Sequence, residues 1–488
     1  MTTSVLLCGR TASPTPTIVG DAEVTVVEDL CRRPGQLVQL AESADRLVLG
    51  VCLSEVSLGV VQAEARHAGI DPLGVEVVDL ESVDPDPDRL DLVFNARAAR
   101  ASAFAGSRPE HSKISIPAKV SRRDLIHRRV HEYIAAPTIE PSTCAASSGC
   151  RACVDVCPRQ ALTWSAGAVT YDRVACEPCG RCVTACPTGA VVNPATTPGQ
   201  LEAEISTLLD PSIGPPGPRG IVFTCSRGRD AAPAAPGWYP VSLPCVGMAT
   251  PAWLLAPLLM GAGNVAASPC HDTGCPLGHG EIIHAIVDFC RELLSAAGES
   301  PERVSVGPAS ELLVPLLAVE LSDPFGLNAT PHIVEAFASI SPSPSAIVVE
   351  SAASPLGIIQ IDERTCTACT LCARSCPTEA LQFVETAEMV TVTFEASACV
   401  ACGQCTDRCP ELERGAIELH RRTDWTALHA GRVELMSAEV VSCESCGATI
   451  APKPALDRIS ALLAPEDGPI ADLLQRRCMD CRSKAPVA

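Results

Sequence analysis

Aromatic residues supply only 3% of this 488-residue sequence, so a chain of tyrosines or tryptophans cannot serve as a path for electrons. Positive charge is also short. Lys and Arg total 37 against 57 Asp and Glu, and the resulting −20 repels phosphate backbones, which excludes nucleic acid as a partner. One uncharged stretch, residues 246–269, is long enough to raise the question of a membrane span, but Pro251, Pro257, Gly261, Gly263 and Asn264 interrupt it. It reads as a buried helix followed by a strand. The opening residues read as a first strand with no basic leader and no twin-arginine pair. The one glycine fingerprint, Gly261, Gly263 and Ala266, precedes a strand instead of joining a strand to a helix, so no flavin or nicotinamide site is expected in this chain.

Cysteine is abundant, with 28 residues, and most of it is patterned. Three C-x2-C-x2-C-x3-C-P runs are present: Cys176, Cys179, Cys182, Cys186; Cys366, Cys369, Cys372, Cys376; and Cys399, Cys402, Cys405, Cys409. A variant run, Cys144, Cys150, Cys153, Cys157, has Ser147 at the usual opening position and an insertion over residues 145–149 that restores the ligand. Three closely spaced thiolates suit three irons of one [4Fe–4S] cubane, while the fourth, halted by proline, reaches the neighbouring cubane. The spacing therefore predicts four crossed quartets: Cys144, Cys150, Cys153 with Cys186; Cys176, Cys179, Cys182 with Cys157; Cys366, Cys369, Cys372 with Cys409; and Cys399, Cys402, Cys405 with Cys376. Disulfides or zinc are the alternatives, and neither explains the repeated Cys-Pro endings. Thiols kept reduced point to the cytoplasm.

The expected fold is multidomain, α/β plus α+β. Short aliphatic strands alternating with helical stretches make residues 1–110 a small Rossmann-like α/β domain. A basic connector, 111–136, is expected to be helical over 121–133 and leads to a first dicluster ferredoxin module at 137–197. A linker rich in proline and glycine, 210–220, precedes a second α/β domain at 215–350. A second ferredoxin module occupies 356–420, and a zinc-ribbon-like tail 440–488.

In the second α/β domain Cys225, Cys245, Cys270 and Cys275 fall at the ends of expected strands, where loops of a parallel sheet converge. Four buried structural thiols is the plain alternative. The Cys245-Val246-Gly247 segment and the loop from Cys270 and His271 to Gly274 and Cys275 resemble the delta subunit of methyl-viologen-reducing hydrogenases. That resemblance implies a [2Fe–2S] cluster on the four cysteines, although the loop order is altered and the middle segment lacks arginine. Cys290, in mid-helix, is expected to be core.

The N-terminal segments around Cys8, Cys31 and Cys52, with Ala65 to Pro72 after them, resemble the first domain of the iron–sulfur flavoprotein subunit of heterodisulfide reductases, which implies a further [4Fe–4S] cluster there. The fourth cysteine of that family has no counterpart near residues 95–100, which leaves a three-cysteine cluster with another ligand set against three buried thiols. Finally, Cys443, Cys446, Cys478 and Cys481 form two C-x2-C knuckles, the tetrahedral S4 pattern. Zinc is expected over a rubredoxin-like iron because the segment has no aromatic core.

The FAD domain and disulfide-cleaving Cys-Cys-Gly motifs of heterodisulfide reductases are missing, as are the nickel-binding pairs of hydrogenases. The sequence thus reads as an electron-transfer subunit without its own substrate site. It would pass electrons between a flavin-containing oxidoreductase subunit and a hydrogenase, formate dehydrogenase or heterodisulfide-reductase-like subunit. Two other readings stay open: thiol–disulfide chemistry at Cys270 and Cys275, and a redox-sensing scaffold.

Overall fold

A computed structural model describes residues 2–9, 14–20, 22–41, 44–106, 112–115, 132–226, 235–270, 275, 277–318, 330–463 and 468–483. The first domain is a four-stranded parallel sheet whose spatial order is Glu23–Val27, Thr3–Cys8, Arg46–Val51, Val75–Asp79. Val5, Leu7, Leu47, Val48 and Leu49 are fully buried, as expected of parallel strands covered on both faces. Helix Pro87–Ser102 starts under an Asp86 side-chain cap, with Pro87 favourable in its first turn.

The second α/β domain repeats the plan. Its parallel order is Trp238–Leu243, Gly220–Cys225, Asn264–Ser268, Val304–Val306, again second, first, third, fourth in chain order. Strand Trp238–Leu243, which ends just ahead of Cys245, contains Pro240, which lacks the N–H of a ladder residue. It lies at the sheet edge with Pro240 exposed, where that loss is tolerated. Residues 246–269 resolve into a wholly buried helix, Pro251–Leu259, and strand Asn264–Ser268. Among the described residues no helix is long and apolar enough to cross a membrane.

Each ferredoxin module is small and hairpin-built. In the first, Thr138–Ile139 pairs antiparallel with Val191–Val192 and Leu162–Ser165 pairs with Ala168–Tyr171. In the second, Gly357–Ile361 pairs with Ile417–Asp424 and Leu381–Glu385 with Met389–Glu395. That last hairpin continues into Arg432–Ser442 and Thr449–Pro452, so the tail grows out of the second module's sheet. Of the connector expected to be helical, Glu132 and Tyr133 lie instead in strand Glu132–Ala135, paired with Ser112–Ser115 and clamped by Gln62. Residues 121–131 lie outside the described residues.

Two joints bind these parts. Helix Pro198–Leu209, which follows the first module, packs on Pro87–Ser102 of the first domain. Between them Glu204 accepts from Arg100 at 2.6 Å and pairs with Arg97 at 2.9 Å, while Arg100 also meets Glu76 at 3.1 Å. Burial raises the Glu76 carboxyl pKa against the pull of the two arginines. The linker 210–220 is wrapped round one side chain: buried Arg219 donates to the carbonyls of Leu208, Asp210, Ile213 and Pro215 at 2.6 to 3.1 Å.

Candidate metal centres

In both ferredoxin modules the third cysteine of each run rides on a one-turn helix: Ala152–Asp155, Arg181–Thr184, Leu371–Arg374 and Gln404–Asp407. Three of these turns are entered through a left-handed residue, Gly180, Thr370 or Gly403, which bends the backbone around the thiols. In the variant run the insertion forms a 3-10 turn, Ala145–Ser148, held by Trp164 Nε1 donating to the Ala146 carbonyl at 3.0 Å. It closes through Gly149 at φ +91°.

The cysteines of the two runs in each module lie close enough to act on one another. Cys153 feels the charges of Cys186, Cys150 and Cys144, and Cys179 those of Cys176 and Cys157. Cys372 is influenced by Cys366, Cys369 and Cys409, and Cys405 by Cys399, Cys402, Cys372 and Cys376. Desolvation first, then these neighbours, push the thiols of Cys153, Cys372 and Cys405 up to about 12 and that of Cys399 to about 11. Such thiols are protonated by themselves, and a bound cation is what would make thiolates of all four.

The residues fit a bulky inorganic group. Cys376, Cys399, Cys402 and Cys405 line one apolar hollow with Ile359 and Phe394, and Cys366, Cys369, Cys372 and Cys409 line another with Val392 and Ile417. Backbone N–H groups point at sulfur from nearby residues: Ala161 to Cys157 at 3.2 Å, Ala368 to Cys366 at 3.4 Å and Leu381 to Cys376 at 3.4 Å. Donors of this kind tune cluster potentials.

At the carboxyl edge of the second α/β sheet, Cys225 ends its strand, Cys245 follows Trp238–Leu243, and Cys270 follows Asn264–Ser268. Cys245 lies against Cys225, and Cys270 is influenced by both Cys225 and Cys275, so the four thiols share one site. Burial above all pushes the Cys270 thiol up to about 11. Residues 271–274 and 276 of the loop lie outside the described residues. The cysteine pattern does not single out His279, whose Nδ1 is 3.2 Å from Cys245 Sγ. Burial, helped by the nearby Arg181 charge, pulls this imidazole down to about 4, so it is neutral at pH 7. Its only sequence signal is its place four residues after Cys275, just before helix Gly280–Ala297. Cys290 is fully buried in that helix, as expected of a core residue.

Cys8, Cys31 and Cys52 occupy the corresponding edge of the first sheet. Cys52 donates its backbone N–H to Cys31 Sγ at 3.2 Å, and Cys31 contacts Cys8. Burial is the main cause that raises the thiol pKa of Cys31 and Cys52, and the Glu81 and Asp79 carboxylates add to it at Cys52. Residues 95–100, which carry no fourth cysteine, lie within helix Pro87–Ser102.

In the tail, the sulfurs of Cys443, Cys446, Cys478 and Cys481 all lie within 4.8 Å of one another, with Cys446 and Cys478 at 3.6 Å. Metal–sulfur bonds of about 2.3 Å in a tetrahedron place sulfurs about 3.8 Å apart, so this group has the compactness of a single-ion site. Backbone N–H groups, that of Cys478 foremost, pull the Cys443 thiol down to about 6. Cys446 and Cys478 push Cys481 up to about 12.

Family comparisons agree with this geometry segment by segment. Residues 134–190 and 359–419 each match a 4Fe-4S dicluster domain. Residues 227–312 match the methyl-viologen-reducing hydrogenase, delta subunit, a span that includes Cys245, Cys270 and Cys275 and begins just after Cys225. No curated protein matches this sequence.

Proposed function

We propose that this chain is the electron-transfer subunit of a cytoplasmic redox complex, relaying single electrons between a flavin-bearing partner and a hydrogenase, formate dehydrogenase or heterodisulfide-reductase-like subunit. The matched domains support an iron–sulfur electron-transfer subunit. The observation that supports the reading is the gathering of the patterned cysteines, with Cys376, Cys399, Cys402 and Cys405 around one apolar hollow and Cys366, Cys369, Cys372 and Cys409 around another. Cubanes held there store and release one electron each. The protein's part is to bury the sulfurs, aim N–H donors at them and fix their mutual positions.

In this reading Cys225, Cys245, Cys270 and Cys275 hold a [2Fe–2S] cluster, and the tail quartet holds zinc that pins the last helices to the second module. Cys8, Cys31 and Cys52 hold a further cluster completed by another ligand, supported by their matching position on a sheet of the same strand order. Thiol–disulfide chemistry at Cys270 is disfavoured, since a nucleophilic thiol needs a depressed pKa and this one is raised.

The test is an anaerobic preparation analysed for iron, acid-labile sulfide and zinc together with electron paramagnetic resonance. Four cubanes bring about 16 irons and as many sulfides per chain, and a binuclear cluster two more. A preparation low in both overturns the reading. Turnover of thiol or disulfide substrates by the isolated chain would favour the catalytic alternative instead.

A further inference from the structure

We infer that the chain sets its redox sites in single file, with the delta-subunit-like quartet at the head, followed in order by the quartets of Cys157, of Cys186, of Cys376 and of Cys409. The order rests on the proposed reading that these quartets hold clusters, and it is fixed by four joints.

At the first joint, Arg181 on the one-turn helix carrying Cys182 donates to the Gly247 carbonyl at 3.1 Å, two residues after Cys245. Gly180 sits so tightly on Met248 that a Cβ would collide with its side chain, and Cys179, Cys225 and Cys245 share one apolar cluster. Cys245 and Cys179 feel each other's charge. The second joint lies inside the first module, where Cys153 and Cys182 pack in one small apolar cluster.

The third joint spans the two modules. Arg408, next to Cys409, donates to the Gly149 carbonyl at 3.2 Å across 259 residues of sequence, and its guanidinium occupies the space that a Cβ on Gly149 would take. This contact brings Cys150 within the electrostatic reach of Cys402. The fourth joint lies inside the second module, where the helices of Cys372 and Cys405 pack together.

Cys369, in the last quartet, is exposed, whereas at the head Cys225 and Cys245 are buried and Cys270 and Cys275 half-buried. Electron transfer falls steeply with distance, so a row of this kind has one route: every electron entering at the head must visit all four cubane sites before leaving near Cys369.

The order is tested by deleting one site at a time and recording the electron paramagnetic resonance of fully reduced protein, in which neighbouring spins broaden each other's lines. Cys402→Ser should leave the Cys366, Cys369, Cys372 and Cys409 site without a cubane neighbour and give a narrow, uncoupled signal. Cys369→Ser should add no narrow signal beyond that of the unmutated protein, because its remaining three sites still adjoin. A narrow signal gained in Cys369→Ser, or none gained in Cys402→Ser, overturns the order. An independent check comes from the other module: Cys179→Ser should keep the Cys186 quartet coupled through Cys150 to Cys402, and a narrow signal there breaks the third joint. Each variant counts only with about four irons lost and the rest retained. Iron-poor wild-type protein, in contrast, defeats the functional reading itself.

Discussion

Single residues carry much of the specificity. The runs were legible because their spacing is fixed and proline after Cys157, Cys186, Cys376 and Cys409 ends each one, whereas the partners of those sulfurs outside the runs were not. His279 is the clearest case, since nothing local in sequence announces that a histidine beyond an altered loop turns back onto Cys245. If its Nδ1 donates to that sulfur, it stabilises the reduced, more negative site, so His279→Leu should lower the midpoint potential read by redox titration at unchanged iron content. Gly149 is a second case. Its φ of +91° and the Arg408 guanidinium at its Cα leave no room for a side chain, and Gly149→Val should cost about 1–3 kcal/mol in chemical denaturation. In the tail, Cys443 is drawn down to about 6, so it is a thiolate at pH 7 and stays one until the pH falls through that value. Protons compete with a bound metal for these four sulfurs, so metal retention should fall as the pH is lowered, as followed by release of zinc to a chromogenic chelator.

Elements were legible where hydrophobic runs were unbroken. The strands at Arg46–Val51 and Gly220–Cys225 declare themselves by unbroken or nearly unbroken burial, while Trp238–Leu243 carries a proline that an edge position tolerates. Tail and module looked separate because the sequence between them carries no cysteine, yet strand Arg432–Ser442 pairs with Met389–Glu395 and joins them. Stripping the tail metal should then loosen Lys453–Leu462 and Gly468–Arg476 while the iron of the second module remains, a split that metal analysis after mild chelation would reveal. The helix pair of Pro87–Ser102 and Pro198–Leu209 rests on buried charge. Glu204→Ala would leave Arg97 and Arg100 with Glu76 as their one shared carboxylate, and a loss of about 3 kcal/mol in denaturant titration is expected.

At the scale of the whole molecule, the chain is one plan written twice: a parallel sheet of order second, first, third, fourth with cysteines at its carboxyl edge, then a dicluster module. Spacing exposed the modules, because iron demands fixed intervals. It did not expose the kinship of the two sheets, because their cysteines are set by strand ends and not by intervals. Nor did it show the path from module to module, which depends on Arg408 meeting a backbone 259 residues away. The stretch between the two copies, dense in proline and glycine, has the composition of a hinge, but four carbonyls are gathered onto the buried guanidinium of Arg219 and Gly214 is pressed on Leu92. A protease that needs a run of loose residues in its cleft will find none there. Limited digestion should spare the boundary between the copies, and the two halves should tumble together as one body.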